Sequence, residues 1–147
     1  MKEKVVMITG STSGIGLGIA KKFASSGAKI VINGFAQKSQ VDNIIQELKS
    51  LGAVDVLFDS ADLSKPAEID TMFKNIINHF QTIDILINNA GIQFVSPIED
   101  FPPEKWEAII RIDLIASFYT IKNAIPYMKK NKWGRIINIA SAHALVA

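Results

Sequence analysis

The stretch Thr9-Gly10-Ser11-Thr12-Ser13-Gly14-Ile15-Gly16 constrains this chain more than any other. Before it, Val5-Val6-Met7-Ile8 is a short apolar run that reads as a buried strand. After it, Ile15, Ile19 and Phe23 recur at helical spacing. A strand that turns through glycines straight into a helix is the setting in which such a loop binds the pyrophosphate of a dinucleotide. Glycine lets the backbone turn sharply and approach an anion closely, and the first unpaired N–H groups of the helix point at it. Turns of every kind use glycine, so the flanking strand and helix carry the inference.

From there strand and helix signals alternate along the sequence, which predicts a parallel α/β sheet. The first helix is expected to stop near Ser26 with Gly27 just past its end. A second, carrying Val41, Ile44, Ile45 and Leu48, is expected to stop in the same way at Gly52. Residues 29–33 and 54–58 read as the second and third strands. Pro66 suits the first turn of a helix whose apolar face is Ile69, Met72, Phe73, Ile76, Ile77 and Phe80. Residues 83–87 read as a fourth strand ending in Asn88-Asn89-Ala90-Gly91, and residues 134–141 as a fifth. Between them one long helix is expected over 104–125. Its apolar residues, among them Trp106, Ile112, Leu114, Ile115 and Phe118, cover more than one face. That pattern predicts burial on several sides, within the fold or against another subunit, with Pro126 bending or ending the helix.

Composition narrows the function classes. A 48% hydrophobic content in 147 residues supports one domain with its own core, and a net charge of +2 is too near balance to suggest nucleic acid. The basic run Lys129, Lys130, Lys132 and Arg135 falls where a helix should end, where cations complement the helix dipole. There is no cysteine, hence no disulfide and no thiolate zinc site, and no metal is expected. No secretory leader precedes the first strand and no apolar run reaches membrane-spanning length, so a soluble, cytoplasmic protein is expected.

Taken together, Thr9-Gly10-x-x-x-Gly14-x-Gly16, Asp62-Leu63, Asn88-Asn89-Ala90-Gly91 and the strand ending Ile139-Ala140-Ser141 resemble the short-chain dehydrogenase/reductase family, in its order and at its spacing. Within the family the likeness is to bacterial D-3-hydroxybutyrate dehydrogenases. It is carried by residues 10–20, Asn33-Gly34-Phe35, residues 88–93 with Gln93 at their end, and residues 133–141 followed by His143. The resemblance implies a Rossmann-type, doubly wound parallel sheet of which about five strands are present. It implies NAD as cofactor, with Gly10, Thr12, Ser13, Gly14, Ile15 and Gly16 at its phosphates. Asp62 and Leu63 are implied at the adenine, and Asn89, Ala90 and Gly91, with Asn88, along its length. For Asp62 a helix N-cap is the structural alternative. A 2′-phosphate would call for a cation after the second strand; the sequence offers Asn33-Gly34-Phe35-Ala36-Gln37, with Lys38 the nearest, so NAD with Phe35 as a contact is expected rather than NADP. Ser141 is implied as the catalytic hydroxyl that polarises the reacting oxygen, and Gln93 and His143 as the grip on a small hydroxy acid's carboxylate.

Two departures stand out. Asp113 occupies the place where the family usually has an asparagine that anchors a catalytic water. The family's general base, a tyrosine with a lysine four residues later, should follow Ser141. The two tyrosines present, Tyr119 and Tyr127, precede it and are followed four residues on by Asn123 and Asn131. General acid–base help is typically worth about 10²–10⁴-fold. The expectation is therefore that residues 1–147 are the nucleotide-binding part of a longer chain and have little or no activity alone. For the complete protein, NAD-dependent oxidation of (R)-3-hydroxybutyrate to acetoacetate is expected, in a homo-oligomer that is tetrameric by resemblance. A 3-oxoacyl reductase, a sugar or polyol dehydrogenase, and an inactive nucleotide-binding remnant remain as alternatives.

Overall fold

Strands with apolar side chains on both faces are stable only when both faces are covered. Val5–Ile8 (β1) and Ile85–Asn88 (β4) are buried at every position. In the computed structural model, which describes residues 1–141, they lie side by side at the centre of a five-stranded parallel sheet of order β3-β2-β1-β4-β5. Lys29–Asn33 (β2) and Asp55–Asp59 (β3) extend it on one side and Arg135–Asn138 (β5) on the other.

Side-chain alternation along the strands divides the core in two. Val6, Ile8, Ile30, Ile32, Ile85 and Ile87 pack with residues of Gly14–Ala24 (α1) and Lys38–Ser50 (α2). Val5, Met7, Val31 and Leu86 pack against Pro66–Phe80 (α3) and Ala116–Lys130 (α5). The winding reverses between β1 and β4, which opens a crevice at their carboxyl ends. At the opposite end, the buried Asp84 carboxylate accepts the Val5 N–H at 2.9 Å and the Lys4 ammonium at 3.0 Å, and its carbonyl accepts the Arg135 N–H. One acidic residue thus ties the starts of β1, β4 and β5.

Helix endings follow the glycines. Gly27 and Gly52 have positive φ, and in each case the following residue's N–H reaches back five residues, Ala28 to Phe23 and Ala53 to Leu48. This is the Schellman arrangement. It recurs after α5, where Trp133 bonds back to Met128, but there the left-handed residue is Lys132, at φ 52°.

Four expectations change. The helix read over 104–125 is Pro103–Ile109 (α4), a π-helical stretch Ile110–Ile115, and α5, which a uniform 3.6-residue period could not reveal. Pro126 does not end it: α5 runs on to Lys130. Pro126 is exposed, so the carbonyl it leaves unpaired can reach water, while Thr120, Ala124 and Met128 fix the buried face. Nor does the fold bury this arm on several sides, since Trp106, Leu114 and Phe118 are all more than half exposed. The third and fifth strands are also shorter or shifted. Asp55 rather than Val54 opens β3, and β5 covers four residues at the sheet edge, with Ile136 and Ile137 exposed.

A non-glycine residue in the left-handed region costs roughly 1–2 kcal/mol. Lys132→Gly should therefore raise stability by about 1 kcal/mol, seen as a higher urea midpoint with an unchanged slope.

Candidate nucleotide-binding site

The turn after β1 is built by polar groups that the apolar pattern does not announce. Gly10 sits at φ 60°, and a Cβ there would lie 2.8 Å from the Ala90 Cα. A Cβ at Gly16 would lie 2.6 Å from the Asn89 side-chain nitrogen and strike the Gly10 carbonyl. Both glycines are therefore demanded by close approach of the β1 and β4 loops. Gly14 differs: its φ is 54° and nothing lies within 4 Å of a Cβ there, so its side of the turn faces open space.

Buried hydroxyl and amide groups hold the turn. The Ser11 hydroxyl donates to the Ile8 carbonyl at 2.7 Å and accepts the Asn33 N–H at 3.0 Å. Asn33, 1% exposed, donates from its side chain to the carbonyls of Asp59 and Ala61. The Thr9 hydroxyl oxygen accepts the N–H groups of both Asn89 and Ala90 at 2.9 Å. Asn89 returns its side-chain amide to the carbonyls of Thr9 and Gly10. At Ser13 no side-chain bond caps α1, so the first-turn N–H groups face the turn with no such partner.

Around this turn lies a cavity of about 450 Å³. All but one of the residues expected at the cofactor line it: Gly10 and Thr12 to Gly16, Phe35, Asp62, Leu63, Asn89, Ala90 and Gly91, with Asn88 the exception. Asn33, Gly34, Ala61, Ile92 and Ile112 complete the wall. Asp62 is the one charged side chain among these lining residues. Phe35 stands 75% exposed at the rim, and Lys38, the nearest cation in sequence, is paired with Asp42 at 2.6 Å.

Other expected residues lie elsewhere or in different roles. Asn88 does not line the cavity. Its side chain is buried, accepts the Thr120 hydroxyl at 2.7 Å and donates to the Asn138 side chain at 2.8 Å, joining β4, α5 and β5. Its place in the last residue of a strand turns it into the sheet while Asn89 enters the loop. Asp62 is not the N-cap of α3, which Lys65 occupies. Its carboxylate instead accepts the N–H and hydroxyl of Ser64 and faces Lys65 at 3.4 Å. Asp113, in the π-helical stretch, accepts the Ile92 N–H at 2.9 Å. Gln93 is exposed in the same loop, outside the cavity wall. Ser141 lies three residues beyond Asn138, which pairs with Asn88, and so emerges at the same carboxyl edge as the cavity. His143 lies outside the described residues. Tyr119 and Tyr127 pack against the α3 side of the core, away from the cavity wall. Among the described residues no cluster could hold a metal ion, and no helix is long and apolar enough to cross a membrane.

A family model described as short chain dehydrogenase matches residues 4–147. The D-beta-hydroxybutyrate dehydrogenase of Rhizobium meliloti is 54% identical over 144 residues, covering 98% of this chain and 56% of the relative. That of Cupriavidus necator is 52% identical over 148 residues, covering 100% of this chain and 56% of the relative. This chain therefore spans little more than half the length of these relatives. Among solved structures, L-sorbose reductase from Gluconobacter frateurii, complexed with NADPH and L-sorbose, superposes with a TM-score of 0.92 at 34% identity, over 98% of this chain and 54% of that one. A metagenomic short-chain oxidoreductase in complex with NADP gives 0.88 at 30% identity, over 95% and 63%.

Two expectations follow from the geometry. Gly16→Ala should weaken dinucleotide binding by on the order of tenfold or more, by forcing the two loops apart. Gly18→Ala, with nothing within 4 Å of its Cβ, should leave binding intact and gain about 0.5–1 kcal/mol of stability; calorimetric titration and urea melts read both. The second concerns acid. Ser64's hydroxyl and N–H hold the Asp62 carboxyl below its ordinary 3.8, with Lys65 adding to this and partial burial opposing it. Because the folded-state value is the lower one, the resulting stability is present above 3.8 and is lost as pH falls through the folded value. The urea midpoint should accordingly fall less steeply below pH 3.8 in Asp62→Asn than in the unaltered protein.

Proposed function

The chain belongs to the short chain dehydrogenase family, and from that premise we propose that residues 1–147 form the nucleotide-binding part of a dehydrogenase that uses NAD to oxidise (R)-3-hydroxybutyrate to acetoacetate. The observation that carries the proposal is the cavity at the β1/β4 reversal, lined by the glycine turn, Phe35, Asp62–Leu63 and Asn89–Gly91. Its volume is in the range of small-molecule sites. Gly14 leaves open space at the N-terminus of α1, where a pyrophosphate would sit. The residues therefore fit a nicotinamide dinucleotide. The chemistry such a cofactor supplies when bound is acceptance of a hydride, here from C3 of the hydroxy acid.

The chain's own residues would do the rest. First-turn N–H groups of α1 would hold the phosphates, and the Asp62 carboxylate would accept from the adenine amine. Phe35 would cover the ribose side without any cation for a 2′-phosphate. The absence of Lys and Arg from the cavity wall favours NAD over NADP. Ser141 would donate its hydroxyl to the reacting oxygen, and Gln93 with His143 would hold the carboxylate. Neither Tyr119 nor Tyr127 has a lysine four residues on, so in this proposal the proton acceptor lies outside residues 1–147, and that span alone turns over little or no substrate. The relatives at 54% and 52% identity support the substrate class. The NADP(H) complexes at 34% and 30% identity favour a second reading, an NADP-linked sugar or acyl reductase. A cytoplasmic homo-oligomer, tetrameric by family resemblance, also belongs to the proposal, with the exposed Leu114 and Phe118 at its contacts.

The test is turnover by the full-length protein. NAD reduction with (R)-3-hydroxybutyrate supports the first reading; activity confined to NADPH with sugars or acyl thioesters replaces it with the second. Ser141→Ala should lower kcat by about 10²-fold, the loss typical of one oxyanion donor. Phe35→Arg should shift the NADP:NAD preference toward NADP by on the order of tenfold, through a charge-assisted bond to the 2′-phosphate.

A further inference from the structure

The loop leaving β4 has no regular secondary structure over residues 89–97, yet Gln93 lies between two fixed points. On one side the Ile92 N–H donates to the Asp113 carboxylate at 2.9 Å. On the other, the Phe94 ring meets Phe101 edge to face, centroids 5.5 Å apart, and Phe101 meets Trp106 in the same way at 6.1 Å. The Lys105 ammonium lies 5.8 Å from the Phe94 ring centre. Trp106, Lys105 and Asp113 all belong to the arm formed by α4 and the π-helical stretch, so both anchors are carried by one continuous helical segment. A loop whose residues 91–95 are all exposed would otherwise lose substantial entropy on gripping a ligand, and tethering it beforehand reduces that cost.

We infer that the Phe94–Phe101–Trp106 ring chain and the Asp113 carboxylate are positioning elements that present Gln93 to the carboxylate of the substrate. Neither touches the reacting atoms; they act through the loop. The inference rests on the role given to Gln93 in the proposed function, and the experiment separates the two. It uses the full-length protein with Phe101→Ala, Phe101→Tyr, Gln93→Ala and the double variant Gln93→Ala/Phe101→Ala.

Hydrogen exchange at the Ile92 amide, measured without any ligand, reads the tether itself. Phe101→Ala should raise it by on the order of tenfold and Phe101→Tyr should restore it. In steady-state assays Phe101→Ala should raise KM for (R)-3-hydroxybutyrate by on the order of tenfold while kcat and the NAD Kd stay within about twofold. On a Gln93→Ala background, Phe101→Ala should add nothing further, because the two act as one unit. Unchanged exchange at Ile92 in Phe101→Ala overturns the tether whatever the substrate is. Faster exchange with an unchanged KM, while Gln93→Ala raises KM, overturns the positioning role and leaves the proposed function standing. An unchanged KM in Gln93→Ala overturns the role of Gln93 and this inference with it. Should Phe101→Ala fail to fold, Phe94→Leu removes the outer ring of the chain and carries the same expectations.

Discussion

A single hydroxyl oxygen stands at the point on which this architecture turns. Thr9 follows β1, and its side-chain oxygen accepts the N–H groups of Asn89 and Ala90 just past the end of β4. Those two strands are neighbours although three helices and two strands separate them in sequence. Without an acceptor, two backbone N–H groups would be left in a half-buried crevice, each costing about 1–3 kcal/mol. Asn89 closes the circuit by donating to the carbonyls of Thr9 and Gly10. The glycine turn and the β4 loop are therefore one structure. The absence of side chains at Gly10 and Gly16 is what lets them come this close.

The same logic extends outward from that junction. Ser11 and Asn33 join the turn to β2 and β3, and Asn88 joins β4 to α5 and β5 through Thr120 and Asn138. Every buried side-chain nitrogen and oxygen among the described residues has a partner. A network this complete fixes the carboxyl ends of all five strands relative to one another. It also leaves the outward-facing N–H groups at the start of α1 as polar groups still available to a ligand. Rigidity of the crevice and the exposure of the first turn of α1 arise from the same set of bonds.

Much of this was legible in the residue pattern, and the failures are instructive. Apolar runs and their glycine stops placed four of the strands and three of the helices nearly as observed, because Gly27 and Gly52 end helices by a backbone mechanism that only glycine readily supports. Lys132 performs the same ending without being a glycine, so it left no such signal. The π-helical stretch was hidden because Ile110–Ile115 carries no glycine or proline to mark a change of period, so the apolar run reads as one continuous helix. The cavity wall was found by motif, but the buried partners that shape it were not: Ser11, Asn33 and Thr120 are small polar residues whose bonds between elements span 22 or more residues. Adjacent Asn88 and Asn89 looked equivalent in sequence. Only the strand's end separates them, one side chain turned into the sheet and the other across the crevice.

The two ends of the crevice are held by different physics. Around the glycine turn, buried hydrogen bonds dominate, and removing one partner leaves another buried and unpaired. Along the loop past Gly91, the holding contacts are ring edges and faces that are partly in water, plus the single Asp113 carboxylate. Exposed aromatic pairs give about 0.5–1.5 kcal/mol beyond their area and tolerate exchange of one apolar ring for another. Substitution is therefore costly at the first end and cheap at the second. A fold of this kind can keep one nucleotide crevice while its neighbouring loop is rebuilt around a different small molecule. Only the end held by close backbone approach imposes residue types, as at Gly10 and Gly16, that a motif can capture.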